Sequence, residues 1–295
     1  MKRLLGIAAL AGLLAACGGS EPRRPDVVMV LADTVRADRL GAYGHPGGLT
    51  PTLDAVAREG VLFERVVAQA PWTQPSVASL FSAVYPGVHQ VLDYDVAFSG
   101  ALAGQAVRPV LDARFTTLAE ALRSGGYATA AFVANPFVKG EFGFAQGFDH
   151  FDASFATIDA PGSAVNEALF AWLDRRDDRR PLFLYLHYMD AHGPYDADPE
   201  LLEPLLEAVE AAPDKRELTP QELERLHYLR RPPSQPGDPE RHRRLEHYRE
   251  YWVVRYEAGV RQLDRRLAAL RTGLEQRGLW QRAYLVVTSD HGEAL

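Results

Sequence analysis

The sequence predicts an α/β fold, a mainly parallel sheet with helices on both faces, and three observations carry that prediction. The runs "PDVVMVLAD", "PLFLYLHYMD" and "AYLVVTSD" are apolar without alternation, the pattern of strands buried on both faces rather than of half-wet edge strands. Segments with helical spacing lie between those runs, and strands that alternate with helices pair in parallel through crossovers. Gly60 and the pair Gly125-Gly126 fall where the helical patterns stop, so the punctuation agrees with the periodicity.

Taken in order, the first strand covers 27–33 and ends on Asp33. Thr50-Pro51-Thr52-Leu53-Asp54 opens a helix that runs to Glu59. A short strand is expected over 61–67, after which "PWTQPSVASL" turns into a helix from about Ser76 to Ala83. Strand, turn and helix in that order would present the Thr73 hydroxyl above a sheet as a nucleophile; a threonine at such a turn also serves as a helix N-cap. "LAEALRSGGYATAAFVANPFV" repeats helix, glycine stop and strand. A helix near 164–174 precedes the strand "PLFLYLHYMD". Trp252, Tyr256, Val260, Leu263, Leu267 and Leu270 then mark a core-facing helix over 251–274, and the last strand, 283–290, ends on Asp290.

Between about 197 and 250 the composition shifts to Glu, Arg, Leu and Pro, and Thr219-Pro220-Gln221-Glu222 forms a capping box, so a helical insertion is expected there. His227, His242 and His247 lie in that stretch; without convergent acidic ligands they belong to a solvated helical face.

The first residues, "MKRLLGIAALAGLLAAC", place two cations before an apolar run too short to cross a bilayer, which needs ~20 residues. That is a signal peptide, 1–17, and Leu14-Ala15-Ala16-Cys17 resembles the bacterial lipobox, whose cysteine takes the lipid. Residues 18–25 would be a short tether to the membrane, leaving the rest facing the periplasm or the exterior. Cys17 is the only cysteine, so a disulfide within the chain is excluded. A net charge of −7, with 47% hydrophobic and 24% charged residues, describes a globular chain and argues against a nucleic-acid partner.

Chemistry is concentrated where ligands of open α/β sheets sit, outside the carboxyl ends of the strands. Asp33, Asp290 and His291 all fall there and could converge on one divalent cation, although an Asp after a strand, taken alone, is more often a turn or helix cap than a ligand.

The ordered motifs "VLADTVRADRLGAYG", "TPTLDAVAREGVLFERVVAQAPWTQPSVASLFSAVYPGVHQV", "GYATAAFVANPFV" with "GFDHFD", "LHYMDAHGPY" and "LVVTSDHGE" resemble the sulfatase family of the alkaline phosphatase superfamily. The resemblance implies an alkaline-phosphatase-like catalytic domain over 26–295 that continues in the family past His291, so the domain is expected to be incomplete at its carboxyl side. Thr73 takes the nucleophile position, where typical members carry a cysteine or serine that becomes formylglycine within a C/S-x-P-x-R pattern. Here that pattern reads Thr73-Gln74-Pro75-Ser76-Val77, so no formylglycine is expected, and the arginine is replaced by Val77. Threonine at this position resembles the phosphodiesterases and phosphoglycerol or phosphoethanolamine transferases of the superfamily.

Asp33, Thr73, Asp290 and His291 are the implied metal ligands, with Thr34 standing where typical sulfatases have a second aspartate. Such an oxygen and imidazole set favours zinc or manganese over calcium or magnesium. His192 is implied as the group that meets the leaving or non-bridging oxygens, and Lys139, like Arg36, could meet the substrate anion or form a solvated ion pair. His187 is read as structural. The expected activity is hydrolysis or transfer of phosphate or sulfate esters through Thr73; a sulfatase without formylglycine and a non-catalytic lipoprotein that keeps the fold are the competing readings.

Overall fold

The computed structural model describes residues 24–92, 110–157, 162–210, 239–293 and 295. The expected signal peptide, Cys17 and most of the expected tether lie outside the described residues, as do the Thr219 capping box and His227.

Five strands form one parallel sheet: β1 (Asp26–Ala32), β2 (Ala128–Val133), β3 (His150–Asp152), β4 (Leu182–Tyr188) and β5 (Ala283–Thr288), in the order β3-β2-β4-β1-β5. The helices are α1 (Pro51–Glu59), α2 (Thr73–Ser82), α3 (Pro86–His89), α4 (Leu118–Ser124), α5 (Gly162–Arg175), α6 (Pro199–Glu210) and α7 (Pro239–Gln276). Side chains alternate across the sheet, which explains why the covered strands β1, β2 and β4 read as continuous apolar runs; β5, expected from its apolar run to be covered on both faces, is an edge strand that leaves Tyr284 and Val286 exposed. On one face Val28, Val30 and Ala32 of β1 meet Leu182, Leu184 and Leu186 of β4 under α5 and α7. On the other, Met29 and Leu31 meet Phe183 and Tyr185 together with Val77, Ala78 and Phe81 of α2 and Ala119 of α4. The expected two-sided α/β architecture is therefore present.

Two local expectations are corrected. Residues 61–67 form no strand: they pair with neither edge strand, β3 or β5, and Val61, Phe63, Val66 and Val67 are exposed. An apolar stretch without a buried face or a strand to pair with gains nothing from extending. The helix expected from about Ser76 begins at Thr73 instead, because the proline at the third helical position is tolerated where amides have no intrahelical partner. The insertion is helical at its described ends, in α6 and in the start of α7, and α7 continues without a break through the core-facing segment expected over 251–274.

Long-range contacts with α7 hold the loops above the sheet. Asp264 of α7 accepts from the N–H groups of Thr52 and Leu53 at 3.1 and 2.9 Å, satisfying the first turn of α1. Gly259 of α7 lies against the backbone of Asp190 and Ala191, where an added Cβ would come 2.4 Å from the Asp190 carbonyl oxygen. Gly259→Ala is therefore expected to destabilise by about 1–3 kcal/mol through overpacking, a lowered midpoint in urea unfolding being the check.

Candidate active site

Because β1 is hydrogen-bonded to both β4 and β5, the residues that follow these three strands share one end of the sheet. Asp33 follows β1, and Asp290 and His291 follow β5. Ligand atoms of Asp33, Asp290 and His291 lie within 4.8 Å of one another. The structure thus brings together three residues whose ends lie more than two hundred positions apart in the chain.

Thr73 enters from above as the first residue of α2. The N-cap is Trp72, and no side chain makes a cap hydrogen bond, so the Thr73 hydroxyl is not used as a cap. It is buried, and its Oγ1 stands 3.3 Å from His291 Nε2. Ser76, one turn later, donates from Oγ to the Asp290 carbonyl oxygen at 2.6 Å and pins α2 to the end of β5. Val77, at the position of the missing arginine, faces the apolar cluster beneath α2.

Thr34 joins the two aspartate loops. Its φ of 59° is left-handed, a conformation that costs a non-glycine residue about 1–3 kcal/mol and persists only when its surroundings impose it. Here three bonds do so: Thr34 N–H donates to Asp290 Oδ1 at 3.1 Å, its hydroxyl donates to the Ala191 carbonyl at 3.1 Å, and its own carbonyl accepts from the Tyr256 hydroxyl at 3.0 Å. Tyr256 Oη also accepts from Arg36 N–H at 2.8 Å. Where a second carboxylate was missed in the sequence, a hydroxyl instead ties the Asp33 loop to the His192 loop.

The buried charges are under-satisfied. Asp33 Oδ2 accepts from Asn135 Nδ2 at 2.6 Å and lies 2.9 Å from His187 Nε2, while Asp33 Oδ1 has no partner. Asp290 Oδ1 accepts from the N–H groups of Thr34 and His291, while Oδ2 has no hydrogen-bond partner and lies 3.4 Å from His291 Nε2. Burial, and then the Asp33 charge, push the Asp290 carboxyl up to about 6. For Asp33, burial acts upward, but the hydrogen bond and charge of His187, joined by the fields of His192 and His291, hold the group below its ordinary value. His291 Nδ1 faces the Gly292 carbonyl at 2.8 Å and so carries the hydrogen, leaving the Nε2 lone pair directed at the cluster.

Two unpartnered buried carboxylate oxygens, an imidazole lone pair and a hydroxyl fit a divalent cation, which would relieve the desolvated like charges. The implied ligand set of Asp33, Thr73, Asp290 and His291 is thus assembled in one place.

His192 is half-buried in the loop after β4, close enough for its charge to act on Asp33. Its Nδ1 donates to the Gly193 carbonyl at 2.6 Å. The loop is fastened to α7 by Gln262, which accepts from Asp198 N–H at 2.6 Å and donates to Asp190 Oδ1 at 3.1 Å. Lys139 precedes a 3-10 turn at 140–142 and makes no ion pair among the described residues. Arg36 is committed elsewhere, to both oxygens of Asp38 and to the Glu293 carbonyl. Sequence reasoning missed Asn135, Ser76 and the part played by His187. Only the alternation of Tyr185 and His187 on one strand face hinted at the last.

The parallel α/β sheet gives the chain an alkaline-phosphatase-like fold, and an aspartate, aspartate and histidine cluster lies beyond the carboxyl ends of its strands. The Sulfatase family model matches residues 25–295, and the chain belongs to the sulfatase family, whose members are metal-dependent. Over 119 residues, 38% of this chain, it is 34% identical to the steryl-sulfatase of Mus musculus. It superposes over 92% of its length, with a TM-score of 0.66 and 18% identity, on a protein solved with its substrate D-glucosamine-2-N,6-O-disulfate. It also superposes over 92% of its length on the phosphonate monoester hydrolase of Agrobacterium radiobacter, with a TM-score of 0.60 and 23% identity. The matched stretch is 18% of the steryl-sulfatase, and the superpositions cover 66% and 63% of the two solved chains.

Proposed function

We propose that this protein cleaves or transfers phosphate esters through Thr73, in preference to sulfate esters, with a manganese or zinc ion at the cluster. The observation that carries the reading is the uncapped, buried Thr73 hydroxyl at the start of α2, 3.3 Å from His291 Nε2 and next to two unpartnered carboxylate oxygens. When bound by Asp33, Thr73, Asp290 and His291, a divalent cation supplies the positive charge that lowers the pKa of the hydroxyl and offsets charge on the ester oxygens.

The remaining work falls to the chain's own residues. Thr73 Oγ1, its proton lost to solvent, attacks the ester phosphorus, and the bond to the leaving oxygen breaks. His192, as an imidazolium with Nδ1–H held by the Gly193 carbonyl, gives its Nε2 proton to that oxygen. Water, or an acceptor alcohol, then attacks the phosphothreonine while neutral His192 takes its proton, and the bond from phosphorus to Oγ1 breaks to restore Thr73. A sulfothreonine lacks so ready a route, which favours phosphate.

Incubation with a phosphorus-labelled aryl phosphate followed by acid quench should leave the label on Thr73, with aryl sulfate released far more slowly. A sulfate-ester reading has support in the steryl-sulfatase likeness, and sulfate release without phosphate release would replace the first reading with it. Loss of both activities in protein that takes up metal would indicate a binding module.

The anchoring of this activity is part of the same reading. Lipid on Cys17 would hold the domain at the cell envelope, facing the periplasm or the exterior. Cys17→Ser should shift the protein from the membrane to the soluble fraction or leave it unprocessed, as fractionation would read; membrane retention of a correctly cleaved variant refutes the anchor.

A further inference from the structure

Asp33 is surrounded by more hydrogen-bonding groups than a ligand needs, and all of them act on one oxygen. Asn135 Nδ2 donates to Oδ2 at 2.6 Å, and His187 Nε2 lies 2.9 Å from the same atom, while Oδ1 is left bare. Both partners are completely buried. Asn135 is fixed in turn, since its Oδ1 accepts from Phe137 N–H at 2.7 Å, and that bond orients the amide with its NH2 toward Asp33. His187 is fixed by Tyr185, two residues earlier on β4 and on the same strand face, whose hydroxyl is 3.0 Å from His187 Nδ1.

The proton positions follow from the partners. A ring nitrogen that faces a carboxylate oxygen carries the hydrogen, so Nε2 donates. The Tyr185 hydroxyl is buried, and burial first, then the charges of Asp290 and Asp33, keep its proton on. It therefore donates to Nδ1 and fixes the tautomer that keeps Nε2–H directed at Asp33. Register places this chain of bonds correctly, because Leu31 of β1 pairs with His187 of β4 just before Asp33.

We propose that Tyr185, His187 and Asn135 are a positioning set that presents Asp33 to the cation through Oδ1 alone. With Oδ2 held by two donors, a two-oxygen grip by this carboxylate is closed off, and the carboxylate plane is set before the cation arrives. Outer partners of this type typically change metal affinity about 10- to 100-fold when removed. The inference rests on the cation reading above and gives His187, otherwise a buried histidine in an apolar strand, a defined task.

The test is Mn2+ titration of the full chain after chelator treatment, with calorimetric affinity and the Mn2+ electron paramagnetic resonance spectrum as readouts and thermal unfolding as the control. His187→Met, which fills the volume without a donor, should weaken Mn2+ about 10- to 100-fold. His187→Gln, whose amide nitrogen reaches the position of Nε2, should restore most of the affinity. Tyr185→Phe should fall between wild type and His187→Met and alter the Mn2+ spectrum. Wild-type affinity and spectrum in folded His187→Met overturn the inference, and where that variant does not fold, unchanged affinity and spectrum in Tyr185→Phe overturn it. A wild-type chain that takes up no Mn2+ overturns the cation reading and the positioning set together.

Discussion

Thr73→Ala is expected to lower kcat for an aryl phosphate by about 10^3- to 10^6-fold, the range seen when a nucleophile is removed from a site that otherwise survives. The fold should not suffer. Thr73 is the first residue of α2, it makes no cap bond, and the pinning of α2 to β5 is made by Ser76 instead. The residual rate would come from binding and polarisation of the ester. Thr73→Ser keeps a hydroxyl at the same point and should retain part of the rate, losing some because the freer serine must be held in the attacking rotamer. Steady-state kinetics on the three proteins, with thermal unfolding as a control, measure this. A wild-type rate in Thr73→Ala excludes Thr73 as nucleophile.

Asp290→Asn separates stability from function at the second ligand. Its side-chain oxygen can still accept from the N–H groups of Thr34 and His291, so the left-handed turn at Thr34 keeps its support. What disappears is the buried charge next to Asp33. In chelator-treated protein that charge is a liability, as burial and the Asp33 charge raise its carboxyl to about 6. The metal-free variant should therefore have a higher Tm than metal-free wild type. Its cation affinity should fall by at least the ~10- to 100-fold that loss of a mere outer partner produces, and the Mn2+-dependent rise in Tm should vanish. Calorimetry with and without Mn2+ reads both effects. A variant that loses stability when metal-free and gains it normally with Mn2+ contradicts the assignment of Asp290 as a ligand.

The parts of the molecule that were legible in the sequence are those whose physics is local. β1 and β4 announced themselves because burial on two faces leaves no polar alternation, whereas β5 is an apolar run although it lies at the sheet's edge with Tyr284 and Val286 exposed; Asp33 and Asp290 stand where β1 and β5 stop. Gly60 and Gly125 ended their helices as expected. Residues 61–67 misled because branched and aromatic residues favour strands only when a partner and a buried face exist. The start of α2 was placed three residues late, since Pro75 reads as a break although it is harmless in a first turn. Asn135 and His187 were opaque for a different reason. Their meaning lies in a carboxylate 102 and 154 residues away, and no spacing rule carries strand register over that distance.

The neighbouring placement of β1 and β5 also has a consequence for biosynthesis. Residues 26–31 can pair with β4 early, but their other edge waits for 283–288, so the closing contact reaches across nearly all of the described residues. Until then Asp33 is present without Asp290 and His291, the two residues that stand beside it in the finished cluster. Under the proposed ligand set, cation capture would be a late maturation event that reports docking of β5. An ion so held would staple two distant points of the polypeptide, and an unfolding excursion that lifts β5 would have to release it first. At a free-ion concentration one hundred times Kd that linkage contributes about 2.7 kcal/mol, a substantial part of the margin by which a domain of ordinary stability stays folded.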